Sequence, residues 1–343
     1  MKNSAKKIPV WGKIIIVFAV ILAVLGMLLL GIRVYFRASV SKYYKNSDKG
    51  FVIPDLKSGF IPQGIDYAED EGYFYITGYR SKGKASPIII VDKETEKCVK
   101  ILDTETLDGE PYTGHAGGIA VHGDFVYVAG GEEKCVYAFS RTQIKNSANG
   151  ESVKASGAYM LTRGDDYIEP AFLTVEGDNL IIGEFHREEN YKTLDSHHIA
   201  LNNGGENTAL AVAVKFDETK ELGLSSDVNK AYSLPSLVQG MCFSGEKVYL
   251  STSYGVKFSN IFSYNASKAE VRQNHSVMGV SVDLVVFDEN SLIKQTKIAP
   301  MSEEIAIVGG KAYIMCEAAS NKYKFGKFTS AKYCYATNLE YFG

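Results

Sequence analysis

The residues that could do chemistry stand at two recurring places in this chain. Gln63, His115, Glu169, Gln239, Glu303 and Glu304 come just before, or at the start of, short apolar runs. Tyr79, Arg80, Glu184, His186, Tyr254 and Glu317 follow the end of the next apolar run. Carboxylates and a histidine are the types that carry acid–base work, so His115, Glu169, Glu184 and Glu303 are the catalytic candidates. The other members are donors and acceptors suited to holding a ligand. Three familiar chemistries lack their usual motif or context here. The glycines of "GHAGGIAVHGDFVYVAGG" (114–131) lie in a hairpin pattern, whereas a phosphate loop needs a helix after its strand. His186, His197 and His198 with Glu184 and Glu188 contain no HExxH spacing for zinc, and no GxSxG elbow offers a nucleophilic serine.

The elements that must position these residues are repeats. "QGIDYAEDEGYFYITGY" (63–79), "GGIAVHGDFVYVAGG" (117–131), "AFLTVEGDNLIIGEF" (171–185), "QGMCFSGEKVYLSTS" (239–253) and "EEIAIVGGKAYIMCE" (303–317) share one form. Each has apolar residues at its third and fifth positions, a glycine or polar turn, and a second apolar run. That is a strand hairpin. The third-position residues Ile65, Ile119, Leu173, Met241 and Ile305 are 54, 54, 68 and 64 residues apart. A third strand follows each hairpin, at 87–92, 135–140, 209–217, 282–288 and 332–337, and four units continue to a fourth. The fifth unit runs out of chain, and an unused strand, "FVIPDL" (51–56), precedes the first. Sheets of four strands repeated at this period predict an all-β fold, a β-propeller of five blades, or six if a longer spacing conceals one. The N-terminal strand would close the ring and remove its open edges.

In a propeller the two sets of polar residues meet at one end of the central channel, the usual place for a ligand. His122, in a hairpin turn, falls at the other end. Long connections at 186–208, 254–281 and 318–332 would lie over the same mouth, presenting Phe258, Phe262, Tyr264, Tyr323 and Phe325.

The first fifty residues are of another kind. Ile14–Ile32 is uncharged and almost wholly apolar, long enough to span a membrane, with Lys2, Lys6, Lys7 and Lys13 before it and Trp11 at its edge. A signal peptide has a shorter apolar core and small residues after it, not "RVYFR". The expected organisation is a basic tail (1–13), a transmembrane signal-anchor (14–32), a juxtamembrane stalk (33–50) and a propeller (51–343). A short tail before a single span places the propeller outside the cytoplasm. Residues 1–49 hold nine Lys/Arg and one acid, leaving 28 Lys/Arg and 39 acids in the remainder. The basic flank suits an anionic lipid surface, and an acidic domain with no basic stripe argues against nucleic acid. The five cysteines form no CxxC; Cys316 and Cys334 fall on strands that could be neighbours, but the expected role is small buried packing.

"PQGIDY" with "YFYITGY", and "VQGMCF" with "VYLSTS", resemble blades of the gluconolactonase, paraoxonase and strictosidine synthase-like propellers. Those families repeat a Pro-(Glu/Asn)-Gly entry and a "LYVTDS"-like second strand; they have six blades. Their metal-dependent members hold calcium in the channel. The entry positions here are Gln63, Gly117, Ala171, Gln239 and Glu303, and the exit positions Gly78, Gly130, Glu184, Thr252 and Cys316. The resemblance therefore implies a Ca2+ site on Glu184 and Glu303, with Gln63 and Gln239 as carbonyl ligands, and a hydrolase acting on lactones or phosphotriesters. Comparison with five-bladed glycosidases instead implies an acid–base pair among Glu169, Glu184, Glu303 and Glu317. From the residues themselves the first expectation is non-enzymatic: a membrane-anchored propeller whose mouth binds a small molecule, envelope glycan or protein.

Overall fold

The computed structural model describes residues 9–81, 83–323, 326–329 and 332–343. Phe325 and the lysines at 2, 6 and 7 lie outside them. The rest of the chain forms a five-bladed β-propeller preceded by one long apolar helix.

Each of the five hairpins is the inner half of a blade. Their inner strands are Phe60–Ala68, Ala116–His122, Pro170–Glu176, Val238–Ser244 and Ser302–Val308, in blades 1 to 5. The turn that joins inner to second strand needs a left-handed residue, supplied by Gly123, Gly177, Gly245 and Gly309 with φ between 53° and 58° in blades 2 to 5. Apolar residues on both faces of each sheet pack against the neighbouring blades. The core is accordingly five wedges, one between each adjacent pair: Ile119 and Leu102 between blades 1 and 2, Leu180 and Val136 between 2 and 3, Met241 and Ile181 between 3 and 4. Tyr249 and Ile314 fill the fourth wedge, Phe74 and Met315 the fifth. All five cysteines are free thiols, four of them buried.

Two strands differ from the sequence expectation. The ring is closed by Ser47–Val52, which pairs antiparallel with Tyr333–Asn338 in blade 5, rather than by 51–56. The third strand of blade 4 is Ser259–Asn265, not 282–288. Its alternation is masked by buried serines: Ser259 accepts from the Ser302 N–H and Ser263 donates to the Phe342 carbonyl, so polar residues face inward there. The apolar run Val280–Val286 instead lies parallel to Leu224–Leu234 and, with Glu270–Val277, extends blade 3 to six strands. Residues 254–281 therefore do not form a long cap. Phe262 and Tyr264 pack among the blade 3–4 wedge residues, leaving Tyr323 as the described member of the expected aromatic group on the cavity wall.

The apolar helix runs from Val10 to Ser39, and a second short helix, Ser41–Lys45, follows it. The chain thus reaches the closing strand without an extended stalk. Val40 and Tyr43 are buried in the wedge between blades 4 and 5, Tyr43 completely.

Candidate functional site

All five inner strands carry an irregularity of register at their entry, between Pro62 and Ile65, Ala116 and Ile119, Pro170 and Phe172, Val238 and Gly240, and Ser302 and Ile305. A bulge of this kind re-aims the side chains beside it. Here it turns entry residues toward the axis, where they meet residues from the second-strand exits. The result is a cavity of about 410 Å³ at the mouth.

Its floor is a structural carboxylate. At the position before the third-position residue, three blades have Gly64, Gly118 and Gly240, whereas blade 5 has Glu304. A Cβ on Gly118 would lie 2.7 Å from Glu304 Oε1, and one on Gly240 2.6 Å from Glu304 Cα. Gly118 leaves room for that long side chain, whereas Gly64 and Gly240 let the backbones of adjacent inner strands approach closely. Its oxygens accept backbone N–H groups from three blades: Ile65 at 2.7 Å, Ile119 at 3.2 Å and Leu173 at 2.7 Å. Burial pushes the Glu304 pKa well up, while those three donors pull the other way. Glu304 is fully buried and does not line the cavity, so the ligand-binding role expected of it is corrected to that of an axial tie.

Above it the wall is acidic and aromatic. Gln63, Tyr79, His115, Glu169, Glu184, Gln239, Tyr254, Glu303 and Glu317 all line the cavity. Gln63 donates from its amide to the Pro62 carbonyl at 2.9 Å and to Glu317 at 3.3 Å, so its Oε1 accepts the 2.6 Å bond from His115 Nε2. That fixes the histidine tautomer and leaves Nδ1 as the acceptor. The imidazole is solvent-exposed at the cavity, although protein crowds it on its other sides. Burial, aided by Lys322, pushes its pKa down to about 4, so it is neutral. Glu317 also accepts from the Tyr323 hydroxyl at 2.8 Å. Burial raises its pKa to about 7 against the opposing pull of Tyr323, Lys322 and Gln63. Glu303 is 2% exposed and has no side-chain hydrogen bond to the described residues. Burial, with Glu317 and Glu304 nearby, pushes its pKa well above the carboxylate range. Lys322 donates to the Tyr79 hydroxyl and lies 4.8 Å from the centre of that ring.

Glu184 is already committed. Both its oxygens meet His197 Nδ1, at 3.0 and 2.9 Å, and one accepts the Leu210 N–H at 3.0 Å. His197 Nε2 reaches Asp166 at 3.0 Å. Burial would depress this imidazole, but the two carboxylates outweigh it and raise its pKa. The calcium set implied by the resemblance does not fit: the Glu184 oxygens are taken by His197 and the Leu210 N–H, and Gln63 is engaged with His115 and Glu317. Among the described residues no three His, Cys, Asp or Glu side chains converge on a metal position, and calcium needs about six oxygens.

Two other candidates stand off the cavity. Arg80 is held by Asp55 at 2.9 Å and Asp103 at 2.5 Å, bracing blade 1. His186 is buried, with Nδ1 2.9 Å from the Thr193 hydroxyl. His122 lies at the far end, stacked on Phe216 at 3.6 Å. Residues not singled out from the sequence also line the wall: Glu132, Tyr167, Tyr191, Lys192 and Lys322. Glu132 and Lys322 stand just past second-strand ends, where the repeat itself pointed. Tyr167 lies in a blade-to-blade crossing that a propeller template also directs to this end.

The fold and site thus define a five-bladed propeller with a tied axis and an acidic, tyrosine-rich mouth. No protein-family model matches the chain, and no curated protein matches it in sequence. Solved propellers do. The glutaminyl cyclase of Myxococcus xanthus gives a TM-score of 0.42 at 10% identity, over 85% of this chain and 92% of that one. The PQQ-bound aldose sugar dehydrogenase of Streptomyces coelicolor gives 0.46 at 12% identity, over 80% and 93%. Luciferin-regenerating enzyme gives 0.42 at 12% identity, over 82% and 92%. The likeness is one of architecture, and no residue role is carried from it.

Proposed function

We propose that this chain is a membrane-anchored propeller, with its blades outside the cytoplasm, that binds a small organic cation in its mouth cavity without transforming it. The observation that carries this is Glu303: a buried carboxyl on the cavity wall that no described protein donor meets. A buried acid without a partner costs free energy that a bound donor recovers. Glu317 adds a second carboxyl beside it and Glu169 a third elsewhere on the wall, whereas the rings of Tyr79, Tyr167, Tyr254 and Tyr323 already face Lys322, Lys134 and Arg187 and only shape the cavity. The anchor reading rests on the thirty-residue apolar helix, none of whose residues is buried.

Calorimetric titration of the full chain in detergent with glycerophosphoethanolamine, choline and a neutral sugar tests this. The amines should bind and the sugar should not, and Glu303→Gln should weaken amine binding at least tenfold, about 1.4 kcal/mol. Equal binding of sugar and amine, or of both variants, defeats it.

A second reading is favoured by one grouping: burial raises the pKa of both the Glu303 and the Glu317 carboxyls, Glu317's to about 7, beside a neutral His115. Groups tuned this way suit acid–base chemistry on the bound ligand. Release of a product from an amine ester or amide, lost in both Glu303→Gln and Glu317→Gln, would favour hydrolysis over simple binding.

A further inference from the structure

The path of the chain fixes which end of the propeller looks toward the helix. Second strands end, and third strands begin, at the mouth. In blade 5 the third strand begins at Tyr333 and pairs with Val52, while Thr337 pairs with Ser47. The closing strand therefore starts at the far end, beside Asn46, whose carbonyl accepts from the Asn338 N–H. Tracing backward from Asn46, the chain climbs the wedge between blades 4 and 5 through buried Tyr43 and Val40. It emerges at the mouth. There Phe36 and Tyr35 pack on Phe258, ring centres 5.3 and 6.0 Å away, and Phe258 immediately precedes the third strand of blade 4. The same helix touches Gly326–Phe328, in the second-strand exit of blade 5. The unburied, apolar length of the helix thus departs from the end of the propeller that holds the cavity.

The surface around that end has the composition of a bilayer interface. Tyr191, Tyr254 and Val256 are exposed, at 50, 39 and 59%. Lys192, Lys257 and Lys322 stand among them. Tyrosines and lysines together are what the headgroup layer of a membrane selects, the ring in the interface and the ammonium at the phosphates. Lys192, paired with the exposed Glu188 at 2.5 Å, and Lys322 also belong to the cavity wall, from the exits of blades 3 and 5, and Glu303 and Glu317 are two of the wall's five carboxyls.

We infer that the mouth rests on the bilayer that the helix spans, and that the cavity receives the headgroup of an aminophospholipid, its ammonium at Glu303 and Glu317 and its phosphate at Lys192 and Lys322. The inference rests on the anchored, amine-binding reading above and narrows it to a ligand presented by the membrane. No bond is made or broken.

The test uses the full chain in vesicles. In a Trp11→Phe background, one tryptophan is placed at the mouth by Val256→Trp and, separately, one at the far end by Asp124→Trp. Lipids brominated on the acyl chain should quench the mouth tryptophan severalfold more than the far one. Equal quenching overturns the inference, and it does so whether or not soluble amines bind. In phosphatidylglycerol nanodiscs doped with phosphatidylethanolamine, the purified protein should retain the amine lipid at least tenfold over its Glu303→Gln variant. Glu317→Gln provides a second variant should the first misfold. No selective retention, although glycerophosphoethanolamine binds in detergent, overturns membrane presentation while leaving amine binding standing. Failure of the soluble amine itself removes the reading beneath both.

Discussion

Glu303 and Glu304 are neighbours on one strand and do opposite things. Glu304 points across the axis, and its oxygens take N–H groups from blades 1, 2 and 3. Glu303 points into the cavity and meets no protein donor among the described residues. A buried charge is tolerated when donors surround it and is a liability when they do not. The floor is therefore a finished network that serves stability, and the wall is an unfinished one that a ligand would complete. The difference also explains why the axis is closed. A propeller of five narrow blades brings its inner strands close enough for one glutamate to span them, with Gly118 leaving it the space.

The comparison breaks most readily through the floor. Glu304→Ala would leave three buried N–H groups without acceptors, so we expect a loss of about 3 kcal/mol or more in denaturant unfolding. Glu303→Ala should change stability by less than about 1 kcal/mol or raise it, because the group it removes is buried and meets no donor among the described residues. Equal losses from the two variants would erase the distinction between floor and wall. A smaller effect sharpens the same point from the other side of the axis. Gly118→Ala would set a Cβ 2.4 Å from the Leu173 nitrogen and 2.7 Å from Glu304 Oε1. Backbone cannot retreat as a side chain can, so a loss of about 2 kcal/mol is expected. A Gly118→Ala variant as stable as the parent would mean that the inner strands are not held at this spacing.

Much of this was legible in the residues. The fifteen-residue copies give the blades, and their entries and exits give nine of the wall residues. What escaped has identifiable causes. Strand parity fails at a bulge, so Glu303 and Glu304, or Tyr79 and Arg80, could not be sorted between cavity and packing from spacing alone. The contrast between glycine at 64, 118 and 240 and glutamate at 304 was available as a signal, since three glycines at one repeat position mark inner strands in close backbone approach and one of them, Gly118, borders the glutamate side chain. Blade 4 misled for a different reason. Ser259–Asn265 buries serines, whereas Val280–Val286 is apolar, and hydrophobic alternation marks a strand without saying which sheet it joins. The closing strand was displaced by a few residues because Ser47–Val52 is an outer strand with three exposed positions. The direction in which the helix leaves could not be read from sequence at all, because it depends on Tyr43 and Val40 filling a wedge formed by distant blades.

The smallest expected effect lies in how the wall titrates. Glu317 keeps its proton up to about 7 in the fold, whereas an unperturbed carboxyl releases it near 4.5. Between those values the folded chain binds more protons than the unfolded one, so this group's contribution to stability falls as pH rises. His115 works in the opposite sense. Its imidazole stays neutral in the fold down to about 4, but an unperturbed one is protonated below 6.5, so its contribution rises with pH from about 4 to 6.5. The two slopes oppose each other in the parent and partly cancel. Glu317→Gln removes the falling one and leaves the rising one. The melting temperature of the variant relative to the parent should therefore increase by a few degrees between about pH 5 and pH 8. A difference that stays constant across that range would mean that Glu317 ionises as freely in the wall as in water, and that the wall is open enough to need no ligand.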